Sequence, residues 1–139
     1  MASEQLKPTI LLVDDEVMVL KALRRVLANP QWHLLTAEGG AQALEIMARQ
    51  PVALIISDLR MPEMSGLELL NEIKRLYPET VRIVLTGYAE MDVVVKAINQ
   101  GEVYRFFTKP WENAELVETI QTVLQGWREK TDQLSSFSE

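Results

Sequence analysis

Ala53-Leu54-Ile55-Ile56-Ser57-Asp58-Leu59-Arg60-Met61-Pro62-Glu63-Met64-Ser65-Gly66 passes from an uninterrupted apolar run into an acid and then into a turn. Near the amino terminus Ile10-Leu11-Leu12-Val13 ends the same way, on Asp14-Asp15. Both apolar runs have the length of a buried strand, so three carboxylates stand at two strand ends. A carboxylate placed there loses water and faces its neighbours' charge, and a fold keeps three together only if a cation or a reaction uses them.

Outward from these two stretches, strand-length apolar runs recur at Trp32 to Thr36, Val81 to Leu85 and Tyr104 to Phe107. The first, third and fourth runs in chain order are nearly continuous in Ile, Leu and Val, the pattern of parallel strands covered on both faces. Amphipathic segments separate the runs. Glu16 to Ala28 places Val19, Leu20, Leu23, Val26 and Leu27 at helical spacing, and Asn29-Pro30 stops it. Ala41 to Arg49 gathers Ala43, Leu44 and Met47, and Ser65 to Leu76 gathers Leu67, Leu69, Leu70 and Ile73. Glu90 to Gln100 is the weakest helix, because Val93-Val94-Val95 is β-branched, and Gly101 ends it. The last helix, Glu112 to about Lys130, repeats Leu116, Ile120, Val123, Leu124 and Trp127, and Leu134 continues the seam. The alternation of strand and helix predicts an α/β fold, an open, doubly wound parallel sheet of five strands flanked by five helices.

The 139 residues suffice for one ordinary core. Apolar residues make up 47%, yet no stretch reaches the roughly 20 residues of a membrane span, so a soluble protein that does not engage membranes is expected. The start lacks the basic and apolar pattern of a secretory signal, and the absence of cysteine permits a reducing cytoplasm, the expected location. A formal charge of −6 argues against direct nucleic-acid binding, which draws on clustered Lys and Arg; DNA would be read by another domain.

In an open α/β sheet the ligand crevice lies outside the carboxyl ends of the strands. Asp14 and Asp15 follow the first strand, Asp58 the third, Thr86 the fourth and Lys109 the fifth. Oxygens from Asp15 and Asp58, with Asp14 acting through water and a backbone carbonyl near Arg60 completing the set, suit Mg²⁺. Lys109 supplies a compact cation, Thr86 a hydroxyl donor, and Asp58 a carboxylate able to accept a phosphoryl group. Taken singly, each has an ordinary reading: a strand-end Asp as a helix cap, Thr86 as a turn hydroxyl, Lys109 as a solvated charge. Convergence of five at one sheet edge favours chemistry. Glu16 is left as an acidic helix start.

Leu12-Val13-Asp14-Asp15-Glu16, Asp58-Leu59-Arg60-Met61-Pro62 with Gly66 beyond, Leu85-Thr86-Gly87-Tyr88 and Phe106-Phe107-Thr108-Lys109-Pro110 together resemble the receiver domain of two-component response regulators. The resemblance covers residues 8–128 and leaves 129–139 as the start of a helical linker or tail toward an absent output domain. It implies a flavodoxin-like sheet of order 2-1-3-4-5. It also implies that Asp58 is phosphorylated by a sensor histidine kinase, a phosphotransfer protein or a small phosphodonor, in a domain that catalyses only its own phosphorylation and dephosphorylation. Asp14, Asp15, Asp58 and the Arg60 carbonyl would hold Mg²⁺. Thr86 and Phe106 would be the switch pair, and Lys109 would precede a cis bond to Pro110. Arg60 and Tyr88 fall where the family tunes the lifetime of the phosphoryl group. The fourth helix, fifth strand and fifth helix would form the response face, with Val94, Ile98, Tyr104, Trp111 and the last helix as contacts. A homodimer would use this face or the C-terminal helix. Residues 97–111 resemble receivers joined to cyclic-dinucleotide phosphodiesterases, phosphatases or kinases. Two alternatives carry the same residue types: a receiver-like module that only binds, and an aspartate-nucleophile phosphohydrolase, which resembles Asp-x-Asp at the first strand where this chain has an adjacent pair.

Overall fold

The computed structural model describes residues 7–87 and 90–137, with side chains described as far as residue 130. Five strands, β1 (Thr9–Val13), β2 (His33–Ala37), β3 (Leu54–Asp58), β4 (Val81–Thr86) and β5 (Arg105–Thr108), form one parallel sheet in the order β2-β1-β3-β4-β5. Between and after them run α1 (Val17–Leu27), α2 (Gly40–Arg49), α3 (Gly66–Leu76), α4 (Met91–Asn99) and α5 (Asn113–Phe137). The fold class and strand order agree with the expectation.

Because successive strand residues point to opposite faces, the three central strands supply two cores. Ile10, Leu12, Leu54, Ile56, Ile83 and Leu85 pack with Leu20, Leu23 and Leu27 of α1 and Leu116, Ile120 and Leu124 of α5. Leu11, Val13, Ile55 and Val84 face the other way, onto Met47 of α2, Leu69, Leu70 and Ile73 of α3, and Val94 and Ala97 of α4. Every residue of β1 and β3 is buried. Their carboxyl ends, where Asp14 and Asp58 stand, are therefore fixed by packing on both sides.

The edge strands depart from the sequence reading by one residue each. The Trp32 backbone N–H donates to Asn29 O in a turn and its indole Nε1 donates to Leu27 O at 2.8 Å, closing α1, so β2 starts at His33 opposite Thr9. Tyr104 precedes β5 with its side chain exposed. At the other end β3 and β4 each extend one residue, taking in Asp58 and Thr86.

Ser65 starts α3 with a reciprocal cap: its hydroxyl accepts from Glu68 N–H and the Glu68 carboxylate accepts from Ser65 N–H. The last helix continues beyond Lys130 to Phe137. Two contacts tie it to the base of the domain: Arg128 donates to Gln31 O at 2.9 Å and Lys130 pairs with Glu79 at 2.5 Å. Among the described residues no helix is long and apolar enough to cross a membrane.

Candidate functional site

Parallel register brings all five strand ends to one edge. Asp58 lies opposite Leu85, and Thr86 opposite Thr108, so the residues that follow β1, end β3 and β4, and follow β5 meet there. One carboxylate oxygen from each of Asp14, Asp15 and Asp58 lies within 4.8 Å of the others. Asp14 is fully buried, Asp58 nearly so, and Asp15 exposed.

Lys109 binds the group together. Its Nζ donates to Asp14 Oδ2 at 2.8 Å and stands 3.1 Å from Asp58 Oδ1. The other Asp14 oxygen accepts from Glu16 N–H at 2.9 Å, so the deepest carboxylate has a partner on each oxygen. The strand-end Asp thus does serve as a turn acceptor at the start of α1, as its ordinary reading has it, while also belonging to the acid cluster. Lys109 is itself held by its N–H, which donates to Thr86 O at 2.9 Å, and a cis bond joins it to Pro110.

Burial raises the Asp58 carboxyl above its ordinary pKa, and the Asp14 charge pushes the same way, against the pull of Lys109. For Lys109, burial works to lower the pKa, but hydrogen bonds and charge from Asp14 and Asp58 outweigh it and raise the ammonium. Three carboxylates against one ammonium leave the crevice short of positive charge, which a divalent cation bound through oxygen would supply.

The Thr86 side chain is buried and its hydroxyl donates to Gly87 O at 2.9 Å. Phe106 is half-buried against the α2–α3–α4 side of the sheet. Arg60 extends its exposed side chain to the Glu90 carboxylate at the N-cap of α4. Tyr88 lies outside the described residues. Among the contacts expected on the response face, Val94 is a correction: it is completely buried, and its neighbours Val93 and Val95 are the exposed ones. Tyr104 is exposed there, Ile98 is half-buried, and Trp111 and Trp127 rest partly on the core.

Two further residues shape the site: Gly66, which the sequence reading named only as part of the receiver-like motif, and Glu90, which it placed only at a helix start. Gly66 packs so tightly that a Cβ would come 2.0 Å from the Asp58 carbonyl oxygen. Its N–H donates to Leu59 O at 2.8 Å, locking the loop that carries Asp58 into α3. Its place in the receiver-like motif was the available signal. Glu90, a lone acid before a helix, gave none.

The sequence pattern of the response regulator receiver domain matches residues 10–121. The chain belongs to this family. Among curated relatives of this receiver domain, the hydrogenase transcriptional regulatory protein HoxA of Cupriavidus necator is 36% identical over 118 residues, 85% of this chain and 24% of that protein. The transcriptional regulatory protein GlrR of Escherichia coli is 39% identical over 124 residues, 89% of this chain and 28% of its own length. The chain therefore spans about a quarter of the curated relatives it matches. Among solved structures, the signal receiver domain of an HD domain-containing protein from Pseudomonas fluorescens superposes with a TM-score of 0.82 at 37% identity, covering 91% of this chain and 93% of that one. An adenylate cyclase structure from Rhodopirellula baltica gives 0.84 at 30% identity, covering 96% and 99%. The receiver domain described above thus has the family's sheet order and an acidic pocket at its strand ends.

Proposed function

We propose that this receiver domain is a Mg²⁺-dependent phosphoacceptor switch in which Asp58 is the modified residue. The observation that supports it is the cluster of Asp14, Asp15 and Asp58 around Lys109 at the end of β1 and β3. In the transfer, an Asp58 carboxylate oxygen forms a bond to phosphorus while the bond from phosphorus to the donor breaks. The donor is the imidazole nitrogen of a sensor histidine kinase or phosphotransfer protein, or the leaving oxygen of a small phosphodonor. Asp14, Asp15, Asp58 and the Arg60 carbonyl would hold Mg²⁺, whose chemistry here is to neutralise and align the phosphoryl oxygens. Lys109 pairs with a phosphoryl oxygen. The Thr86 hydroxyl turns from the Gly87 carbonyl toward another, and Phe106 follows it inward.

Modification would shift a population between two arrangements of α4, β5 and α5. The exposed Val93, Val95 and Tyr104 supply apolar surface on that side for an output domain or a second copy of the chain. On this reading residues 8–128 are the receiver, and the helix that continues from 129 to Phe137 begins a linker or tail toward an output. HoxA and GlrR are named as transcriptional regulators, and the Pseudomonas fluorescens receiver belongs to an HD domain-containing protein, so regulated transcription or a signalling enzyme is the output class favoured, in the cytoplasm. The convergence of all five residues favours phosphorylation over a module that only binds.

The test is incubation with acetyl phosphate and Mg²⁺ followed by intact mass measurement of wild type and Asp58→Asn. A labile phosphoryl adduct absent from the variant and from metal-free samples is expected. An adduct of equal yield on Asp58→Asn would reassign the acceptor.

A further inference from the structure

Arg60 stands two residues beyond the acceptor, within about 7 Å of chain from Asp58. Its guanidinium is not turned to the acid cluster but pairs with Glu90, the N-cap residue of α4. The loop that carries the acceptor is thereby tied to the helix that begins the response face. The opposite end of α4 is anchored differently. Arg82 of β4 donates from Nε to Glu102 O at 2.9 Å and from one terminal nitrogen to Thr80 O at 2.9 Å. It also reaches Gly101 O at 3.4 Å. The Glu102 and Gly101 carbonyls belong to the turn that follows α4, while Thr80 leads into β4, and the Tyr104 N–H adds a bond to Arg82 O at 2.8 Å. Backbone bonds to a half-buried guanidinium hold the far end, and among the described residues the ion pair between the exposed Arg60 and the partly buried Glu90 holds the near end.

We propose that Glu90 is a positioning residue for the Asp58 reaction: it holds Arg60 away from the unmodified acceptor and yields it to the phosphoryl group, freeing the start of α4. This rests on Asp58 being the phosphoacceptor. The exchange follows from charge. The phosphoryl group carries between one and two negative charges in place of the single charge of the carboxylate, farther out from β3, and a guanidinium meets its oxygens through two parallel hydrogen bonds. An ion pair whose guanidinium is largely exposed is weak by comparison, because solvent screens it and both side chains lose freedom in it. Once Arg60 has turned, Glu90 faces a second anion without its cation. Repulsion then drives the start of α4 outward while Arg82 keeps its far end in place. Arg60 over the acyl phosphate also obstructs the hydrolysis that ends the signal. There, water attacks phosphorus, the bond from phosphorus to the Asp58 oxygen breaks, and carboxylate, inorganic phosphate and a proton leave.

The experiment measures two properties in wild type, Arg60→Gln, Glu90→Gln and the double variant. The first is amide exchange along α4 in unmodified protein. Both single variants should speed exchange at residues 92–95 while leaving 99–103 unchanged, and unchanged exchange at 92–95 would overturn the ion pair's role. The second is the decay of the Asp58 adduct formed with acetyl phosphate. Glu90→Gln should lengthen its life about two- to five-fold, the range an exposed ion pair supports, and should do nothing once Arg60 is Gln. An equal effect of Glu90→Gln in both backgrounds would show that Glu90 acts without Arg60 and would overturn the proposal. Failure of wild type itself to form any adduct would instead overturn the phosphoacceptor reading on which the exchange stands.

Discussion

Lys109 donates to Asp14 at 2.8 Å although ninety-five positions separate them and two strands of the sheet lie between their own. The ammonium reaches across the ends of β3 and β4 and passes Asp58 on the way, at 3.1 Å. Its position depends on the whole sheet: on β1 packing Asp14 into the interior, and on the Thr86 carbonyl that receives the Lys109 N–H. Electrostatic compensation of the acid cluster and closure of the fold are therefore one arrangement.

Removing the ammonium while keeping the bulk of the chain should be costly. In Lys109→Met, Asp14 stays fully buried with only the Glu16 N–H on its carboxylate, and Asp58 loses its counter-charge. Breaking a buried pair at one partner costs about 3–5 kcal/mol, and the partial exposure of Lys109 reduces this to about 2 kcal/mol. Urea denaturation in chelator-treated buffer measures it. Added Mg²⁺ should recover more stability in the variant than in wild type, because the cation enters a more negative site. A variant as stable as wild type without metal would show that the ammonium contributes nothing net.

The raised Asp58 carboxyl fixes the sign of a pH effect. In the folded chain burial, then the Asp14 charge, favours the protonated form, whereas the unfolded chain titrates in the ordinary carboxylate range. Between those two values the native state holds a proton that the unfolded state has released, so stability falls as pH rises through that window. The penalty is fully present above the folded value and absent below the unfolded one. Asp58→Asn should accordingly melt higher than wild type at neutral pH in metal-free buffer, and the two should converge as pH falls below the ordinary carboxylate range. A gap that instead widened toward acid pH would reverse the sign assigned here.

The interior of this fold was legible because β1, β3 and β4 are nearly continuous in Ile, Leu and Val, as strands covered on both faces are. The edges were less so. Trp32 and Tyr104 have strand-like side chains, yet the Trp32 indole caps α1 and Tyr104 faces solvent before β5 starts. Three consecutive valines in α4 offered no periodicity to say which one turns inward, and Val94 rather than its neighbours does. At the site, Asp14, Asp15, Asp58 and Lys109 announced themselves by ending apolar runs. Glu90 did not, because an ion pair between an exposed and a partly buried side chain thirty positions apart leaves no mark on local pattern.

Gly66 allows a steric prediction. A Cβ there would meet the Asp58 carbonyl oxygen at 2.0 Å and its carbonyl carbon at 2.9 Å, both backbone atoms that cannot swing aside. Gly66→Ala should cost about 1–3 kcal/mol through forced displacement of the chain. Because the displaced peptide is that of Asp58, the proposed acceptor, Mg²⁺ affinity and phosphorylation rate should fall together. Calorimetric metal titration beside denaturation separates this from a purely structural loss. Intact Mg²⁺ affinity in a destabilised variant would show that the strain relaxes toward α3 instead.

Thr86 should separate modification from response. Its hydroxyl bonds to Gly87 O in the unmodified chain, so reaching a phosphoryl oxygen requires trading one acceptor for another. Removing that hydroxyl costs about 1 kcal/mol of stability, the net worth of an ordinary hydrogen bond. The carboxylate of Asp58 and the ammonium of Lys109 are untouched by it. Thr86→Ala should therefore still form the adduct with acetyl phosphate, at a rate within a few-fold of wild type as estimated from one lost donor. Beyond the start of α4, which Arg60 and Glu90 release, it should lack the change in amide exchange that the adduct produces in wild type. Phe106→Ala, which opens space beneath the same hydroxyl, provides the comparison: it should leave the adduct intact and weaken the α4 change without abolishing it. An undiminished α4 response in Thr86→Ala would place the trigger elsewhere, at Lys109 or at the pair of Arg60 with Glu90.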